Sequence, residues 1–86
     1  MIQQTSLIAF TEIKQSLGVR QLEVYRFLSS HLDQYFSNTE LSYALELPIN
    51  RITPRIYELR RAGLVKSYGK RYCRITGKEV LVWQVV

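Results

Sequence analysis

The sequence predicts an α+β fold: a three-helix core with one further helix before it and a β-hairpin after it. Three observations predict it. Apolar residues recur at three- and four-residue steps as far as Ala62, which is the period of a helix face. Beyond Gly63 the period changes to β-formers, first Leu64 and Val65, then Val80, Leu81, Val82, Trp83, Val85 and Val86. Finally, 86 residues without an internal repeat or a Pro/Gly/Ser-rich linker hold one small domain and not two.

The first helix is placed at about 5–17, where Leu7, Phe10, Ile13 and Leu17 share a face and Gly18 follows as a stop. The second covers about 20–35. Its apolar set of Val24, Phe27, Leu28 and Leu32, with Tyr25 and Tyr35, is wide, which suits packing on more than one neighbour. His31 lies within that stripe and reads as a packed or half-exposed side chain rather than a ligand. Ser37 and Glu40 then form a capping box, in which each side chain accepts from the other residue's backbone N–H. The short helix they open carries Leu41, Ala44 and Leu45. It stops near Pro48, because the residue before a proline disfavours the α region.

The fourth helix spans 49–62, with Ile49, Ile52, Ile56 and Leu59 as its apolar stripe. Asn50, Pro54, Tyr57 and Arg61 point away from that stripe. Thr53 and Arg60 flank one side of it, and Arg51 and Arg55 the other. Gly63 suits the left-handed conformation that ends a helix. Pro54 leaves the start open between two arrangements. Thr53 can be the N-cap with Pro54 at the first position, after a looser turn. Otherwise the helix runs through Pro54 and loses one backbone bond, at a cost of ~3 kcal/mol.

The β-formers at 64–65 and 80–86 read as two strands joined by a long basic arm, 66–79. Thr76-Gly77-Lys78 is its tight turn, with Gly77 supplying positive φ. Cys73 reads as a small strand residue; an intermolecular disulfide switch is the alternative. Trp83 reads as a core side chain rather than a stacking platform.

Charge divides the chain. Residues 1–43 carry three basic and four acidic side chains, and residues 44–86 nine basic and three acidic, for a net +5. Between Arg51 and Lys78, nine basic residues stand with a single acid, Glu58. Such a block points to an anionic partner, nucleic acid or a membrane surface; a merely solvated face is the plain alternative. The helices at 5–17 and 20–35 are the most apolar and carry few basic residues, which disfavours a membrane surface. No stretch approaches the ~20 apolar residues of a membrane span. The N-terminus MIQQTSLIAF lacks the basic region of a secretory signal. A lone cysteine forms no internal disulfide and no Cys/His cluster has zinc spacing, so a reducing compartment and no metal are expected. One His, one Cys and seven acids assemble no nucleophilic or paired-carboxylate site, and no phosphate-binding loop occurs. The expectation is a protein that is not an enzyme and holds no cofactor.

Two adjacent helices joined by a few residues, the second polar on its outer face, form a helix-turn-helix, and a hairpin directly after it is a wing. The run SNTELSYALELPINRITPRIYELRRAGLV resembles the core of winged helix-turn-helix DNA-binding domains, with Ala62-Gly63-Leu64-Val65 at the junction from recognition helix to wing. With GKRYC, TGKEV and VW added, about 16–84 is similar to small stand-alone winged-helix proteins of bacteriophages and other viruses, which are grouped with MarR-like regulators.

The resemblance implies a double-stranded DNA-binding protein and transcriptional regulator, cytoplasmic and nucleoid-associated in a prokaryotic or infected host cell. Its recognition helix, 49–62, would lie in the major groove, with Asn50, Arg51, Thr53 and Arg55 at base edges and Tyr57 further along. Arg60 and Arg61 would meet phosphate. The wing, 66–79, would bring Lys70, Arg71, Arg74 and Lys78 to the adjacent groove or backbone. At the start of the short helix, Asn38 and Thr39 would offer N–H groups to a phosphate. Tyr57 with Trp83 resembles the pair of the Z-DNA-binding winged helices, but the Asn is displaced along the helix and the wing has no Pro-Pro.

MarR regulators are longer and dimerise through extra terminal helices. Here the first helix, within 1–18, either serves a homodimer of the domain 19–86 or packs on that domain's own core. The parts that enclose an effector cavity are missing, so no small-molecule effector is implied. The competing class is a winged-helix protein–protein adaptor in a viral or phage replication or transcription assembly. Such adaptors tend to lose the recognition-helix arginines, kept here as Arg51, Arg55, Arg60 and Arg61.

Overall fold

The computed structural model describes residues 17–86, so the helix expected at 5–17 and its dimer role lie outside the described residues, apart from Leu17. The elements are α1 (Val19–Ser29), α2 (Asn38–Leu45), α3 (Ile49–Arg61), β1 (Val65–Tyr72) and β2 (Glu79–Val85). The architecture is α+β, three helices followed by an antiparallel hairpin.

α1 is shorter than its apolar pattern predicts. Ser30 Oγ donates to the Arg26 carbonyl at 2.8 Å, a side-chain bond that competes with helix continuation. The following N–H groups of His31 and Gln34 bond three residues back, to Leu28 and His31, and the helix tightens to a stop. Leu32 and Tyr35, expected on the helix stripe, therefore leave it and are exposed. His31 is half-buried, stacked on Phe27 with 4.3 Å between ring centroids.

α2 opens on the capping box. Ser37 Oγ accepts from the Glu40 N–H at 3.2 Å, and Glu40 Oε1 accepts from the Ser37 N–H at 3.0 Å. It closes on Glu46, a left-handed residue with φ 55° and ψ 43°. The Leu47 N–H bonds the Ser42 carbonyl at 3.0 Å and the Glu46 N–H bonds that of Tyr43 at 3.3 Å, the paired bonds of a Schellman closure.

α3 runs without interruption from Ile49 through Pro54, so of the two starts left open the continuous one is adopted. Pro54 cannot donate to the carbonyl of Asn50, a residue exposed to water that can take the bond. Ile49, expected on the apolar stripe, is 45% exposed, because it stands at the first position, ahead of the turns that pack. Ile52, Ile56 and Leu59 are buried and meet Val24 and Leu28 of α1, Leu41 of α2, and Phe36, Val65 and Trp83.

The arm expected at 66–79 is mostly strand. β1 reaches Tyr72, paired from Val65↔Val85 to Tyr72↔Glu79, with a bulge between Ser67 and Lys70 where Gly69 takes φ 101°. Only 73–78 connect the strands. Cys73 donates its N–H to the Lys78 carbonyl at 2.8 Å, and Gly77, at φ 72°, donates to the Cys73 carbonyl at 2.9 Å. Cys73 is thus a residue of the connection rather than of a strand. At 3% exposure its thiol is buried, which weighs against the intermolecular disulfide. On the other side of β2, Phe36 and Trp83 exchange two backbone bonds, of 3.2 and 2.8 Å. Buried Gln84 donates to the carbonyls of His31 at 2.8 Å and Gln34 at 2.7 Å, pinning the α1–α2 connection to the hairpin.

Candidate nucleic-acid interface

The periodicity that buries Ile52, Ile56 and Leu59 turns the opposite side of α3 outward. Asn50, Arg51, Thr53, Tyr57, Arg60 and Arg61 are all exposed. Arg61 Nη1 donates to the Tyr57 hydroxyl at 3.1 Å, and its guanidinium lies 5.8 Å from the ring centroid. The two side chains form one exposed unit, a flat aromatic carrying a positive charge. The Arg60 guanidinium lies 5.4 Å from the Trp83 ring centroid. Trp83 is 6% exposed, a core side chain whose rim also orients Arg60. Thr53 Oγ1 accepts from Asn38 Nδ2 at 3.4 Å, which joins α3 to the start of α2.

Arg55 and Arg71 are placed differently from these. Arg55 Nε donates to Glu58 Oε1 at 2.8 Å and its Nη2 to Oε2 at 3.1 Å, a two-pronged pairing. Gln21 Nε2 of α1 donates to the same Oε1 at 2.9 Å. The Arg55 bonds, then that of Gln21, hold the Glu58 carboxyl below its ordinary value. Arg71 Nη1 donates to Glu40 Oε2 at 2.7 Å and Nη2 to Oε1 at 2.6 Å. It also reaches the carbonyls of Tyr72 and Tyr35. The Arg71 bonds hold the Glu40 carboxyl down at about 2 against the opposing effect of burial, helped by the Arg74 and Ser37 N–H groups. Glu40 in turn raises Arg71 further above its already high value. Both arginines expected to face DNA thus have their forks filled by carboxylates.

On the hairpin, Lys70, Arg74 and Lys78 are exposed, and among the described residues none of them forms an ion pair. Lys66 Nζ lies 4.9 Å from the centroid of the Tyr68 ring, which stacks on Tyr35 at 4.9 Å. Thr39 lies half-buried in the first turn of α2, beside Glu40, so a carboxylate already stands at that helix N-terminus.

The structure adds one residue that the sequence pattern did not single out. Arg20, exposed in the first turn of α1, lines with Arg51 and Arg55 a cleft of about 40 Å³ between α1 and α3, which Glu23 and Leu47 also border. Arg20 sits in the near-neutral half of the chain, 31 positions from Arg51. Its only local signal is an arginine at a helix N-terminus, where the helix dipole disfavours a cation.

Among the described residues, no group of three or more His, Cys, Asp or Glu side chains could hold a metal ion, and no helix is long and apolar enough to cross a membrane. Comparison with known proteins finds no match to this chain among family models, curated proteins or solved structures.

Proposed function

We propose that this chain is a winged helix-turn-helix protein that binds double-stranded DNA as a transcriptional regulator, with α3 in the major groove and the β1–β2 hairpin as the wing. One observation carries the reading. Of the nine exposed cations without an ion pair among the described residues, three are on α3 (Arg51, Arg60 and Arg61), four on the hairpin (Lys66, Lys70, Arg74 and Lys78), and two on α1 (Arg20, beside Arg51, and Arg26 at the far end). Two carboxylates of this region, Glu58 and Glu40, are paired to Arg55 and Arg71, while Glu23 beside Arg20 and Glu79 on the hairpin are exposed. An α-helix with its side chains is ~10–12 Å across, which matches a major groove ~12 Å wide.

In this reading Asn50, Arg51 and Thr53 read base edges, Arg51 donating two bonds to guanine and Asn50 pairing with adenine. The Tyr57–Arg61 unit stands further along the groove. Arg60, Arg20 and the wing cations meet phosphates. The test is a titration with duplex DNA over a salt series. With about six phosphates neutralised, log K falls against log[salt] with a slope near −5. No binding at ~50 mM salt would overturn the reading. Selection of bound sequences from a random duplex pool then reads out the operator, and a palindromic result would support a homodimer.

A second reading, a protein–protein adaptor, draws on the exposed apolar side chains Leu32, Tyr43 and Tyr72. It expects charge reversal at Arg51 and Lys78 to leave partner capture intact in a pull-down. The DNA reading expects the same variants to lose the duplex.

A further inference from the structure

Glu40 makes more bonds than a helix cap requires. Its Oε1 accepts from the Ser37 N–H at 3.0 Å and from Arg71 Nη2 at 2.6 Å; its Oε2 accepts from Arg71 Nη1 at 2.7 Å and from the Arg74 N–H at 2.9 Å. The residue is 7% exposed, and a buried carboxylate must find such donors to offset its lost hydration. Two of the donor residues, Arg71 and Arg74, flank Cys73, where the β1–β2 connection begins. Cys73 Sγ itself lies 3.3 Å from Ser37 Oγ. The root of the hairpin tip is therefore tied to the N-terminus of α2. α2 is tied to α3 by the Asn38–Thr53 bond and by Leu41 packed in one core with Ile52.

Towards the tip one face of the hairpin is exposed, with Lys70, Tyr72, Glu79 and Leu81, while on the other face Val82 and Cys73 are buried and Arg71 and Val80 half-buried. On that inner face the bonds of Glu40 to Arg71 and to the Arg74 N–H are polar ties between the root of the tip and α2. We propose that Glu40 is a positioning residue for the wing. Acting through the Arg71 side chain and the Arg74 N–H, and without touching DNA, it sets where Arg74 and Lys78 stand relative to α3. This inference rests on the DNA-binding reading and names how the wing half of that site is held.

The decisive variant is Glu40→Gln in the full chain. A glutamine keeps an acceptor for the Ser37 cap, since Glu and Gln both serve there. Its amide nitrogen, however, presents donors where Arg71 and Arg74 also donate. Without DNA, hydrogen exchange is expected to accelerate at least tenfold at the Cys73, Arg74 and Gly77 amides. At α1 and α3 amides the change follows only the loss of global stability measured in urea. With DNA, the salt slope falls by one to two while the selected base sequence is unchanged, because the wing loses phosphates and α3 keeps its bases. A purely structural role would lower stability and leave the slope of the folded protein as it was.

Unchanged exchange at the connection overturns the proposal, as does an unchanged slope with accelerated exchange. Should Glu40→Gln not fold, Arg71→Lys, which keeps the charge and loses the fork, is read by the same two measurements. Failure of the unmodified protein to bind any duplex overturns the DNA reading instead, and the exchange result still reports whether Glu40 holds the hairpin.

Discussion

Glu58 Oε1 receives Arg55 Nε at 2.8 Å and Gln21 Nε2 at 2.9 Å, so one carboxylate oxygen joins α3 to α1. The only acid between Arg51 and Lys78 is the one that neutralises an arginine of α3. Arg51, a turn earlier, has no such partner among the described residues.

Arg51→Ala and Arg55→Ala should therefore differ. Loss of Arg51 is expected to cost about 1–3 kcal/mol of duplex binding and to relax base preference at one position. Loss of Arg55 is expected to leave base preference unchanged. It should lower folding stability by about 0.5 kcal/mol, the scale of a partly exposed ion pair. Binding titrations on a sequence panel, with urea unfolding, separate the two. A changed base preference in Arg55→Ala would place its side chain in the groove.

Arg20→Ala tests the cleft shared with Arg51 and Arg55. The expected outcome is a weakening that is uniform across duplex sequences, with the salt slope reduced by about 1. Arg26→Ala, at the other end of α1, serves as the comparison and should leave the slope unchanged. A slope in Arg20→Ala equal to that of the unmodified protein would remove Arg20 from the interface.

The Glu40–Arg71 pair gives stability an acid limb. In the unfolded chain Glu40 titrates near 4.5, while in the fold it is held at about 2. A lowered carboxyl contributes fully above the unfolded value and loses that contribution as pH falls from about 4.5 towards 2. The amount is on the order of 3 kcal/mol. Urea midpoints measured from pH 6 down to 2 should fall for the unmodified protein and fall less for Glu40→Gln. Parallel curves would mean that another carboxyl sets the acid limb.

Glu46 holds the left-handed end of α2 at φ 55°, where a side chain costs about 1 kcal/mol relative to glycine. Glu46→Gly is expected to raise the melting temperature by about 4 °C, part of the gain being offset by the freer unfolded chain. DNA affinity should not change. A lower melting temperature would show that the Glu46 side chain contributes more than its backbone strain costs.

The features legible in the sequence are local ones. The Ser37–Glu40 cap, the left-handed glycines at 63 and 77, and the buried row Ile52, Ile56 and Leu59 each depend on residues within four positions or on a helical period. The basic block was also legible, as a sum of charges. Its distribution between free and paired cations was not, because a charge count does not say which acid meets which arginine.

The sequence by itself determined the three described helices before a hairpin, the buried row Ile52, Ile56 and Leu59 and the charge of the second half, but not that Leu32, Tyr35 and Ile49 stand outside the core. Only the tertiary structure decided that α1 stops at Ser29, that β1 extends to Tyr72, and that Arg71 turns from solvent to Glu40, 31 positions away. A polar run with no apolar alternation such as 66–72 has no inward pattern of its own and takes its length from the partner strand. An ion pair of that separation exists only once the backbone has brought its two ends together. The same folding step that leaves Arg51 and Lys78 free commits Arg55 and Arg71 to the framework.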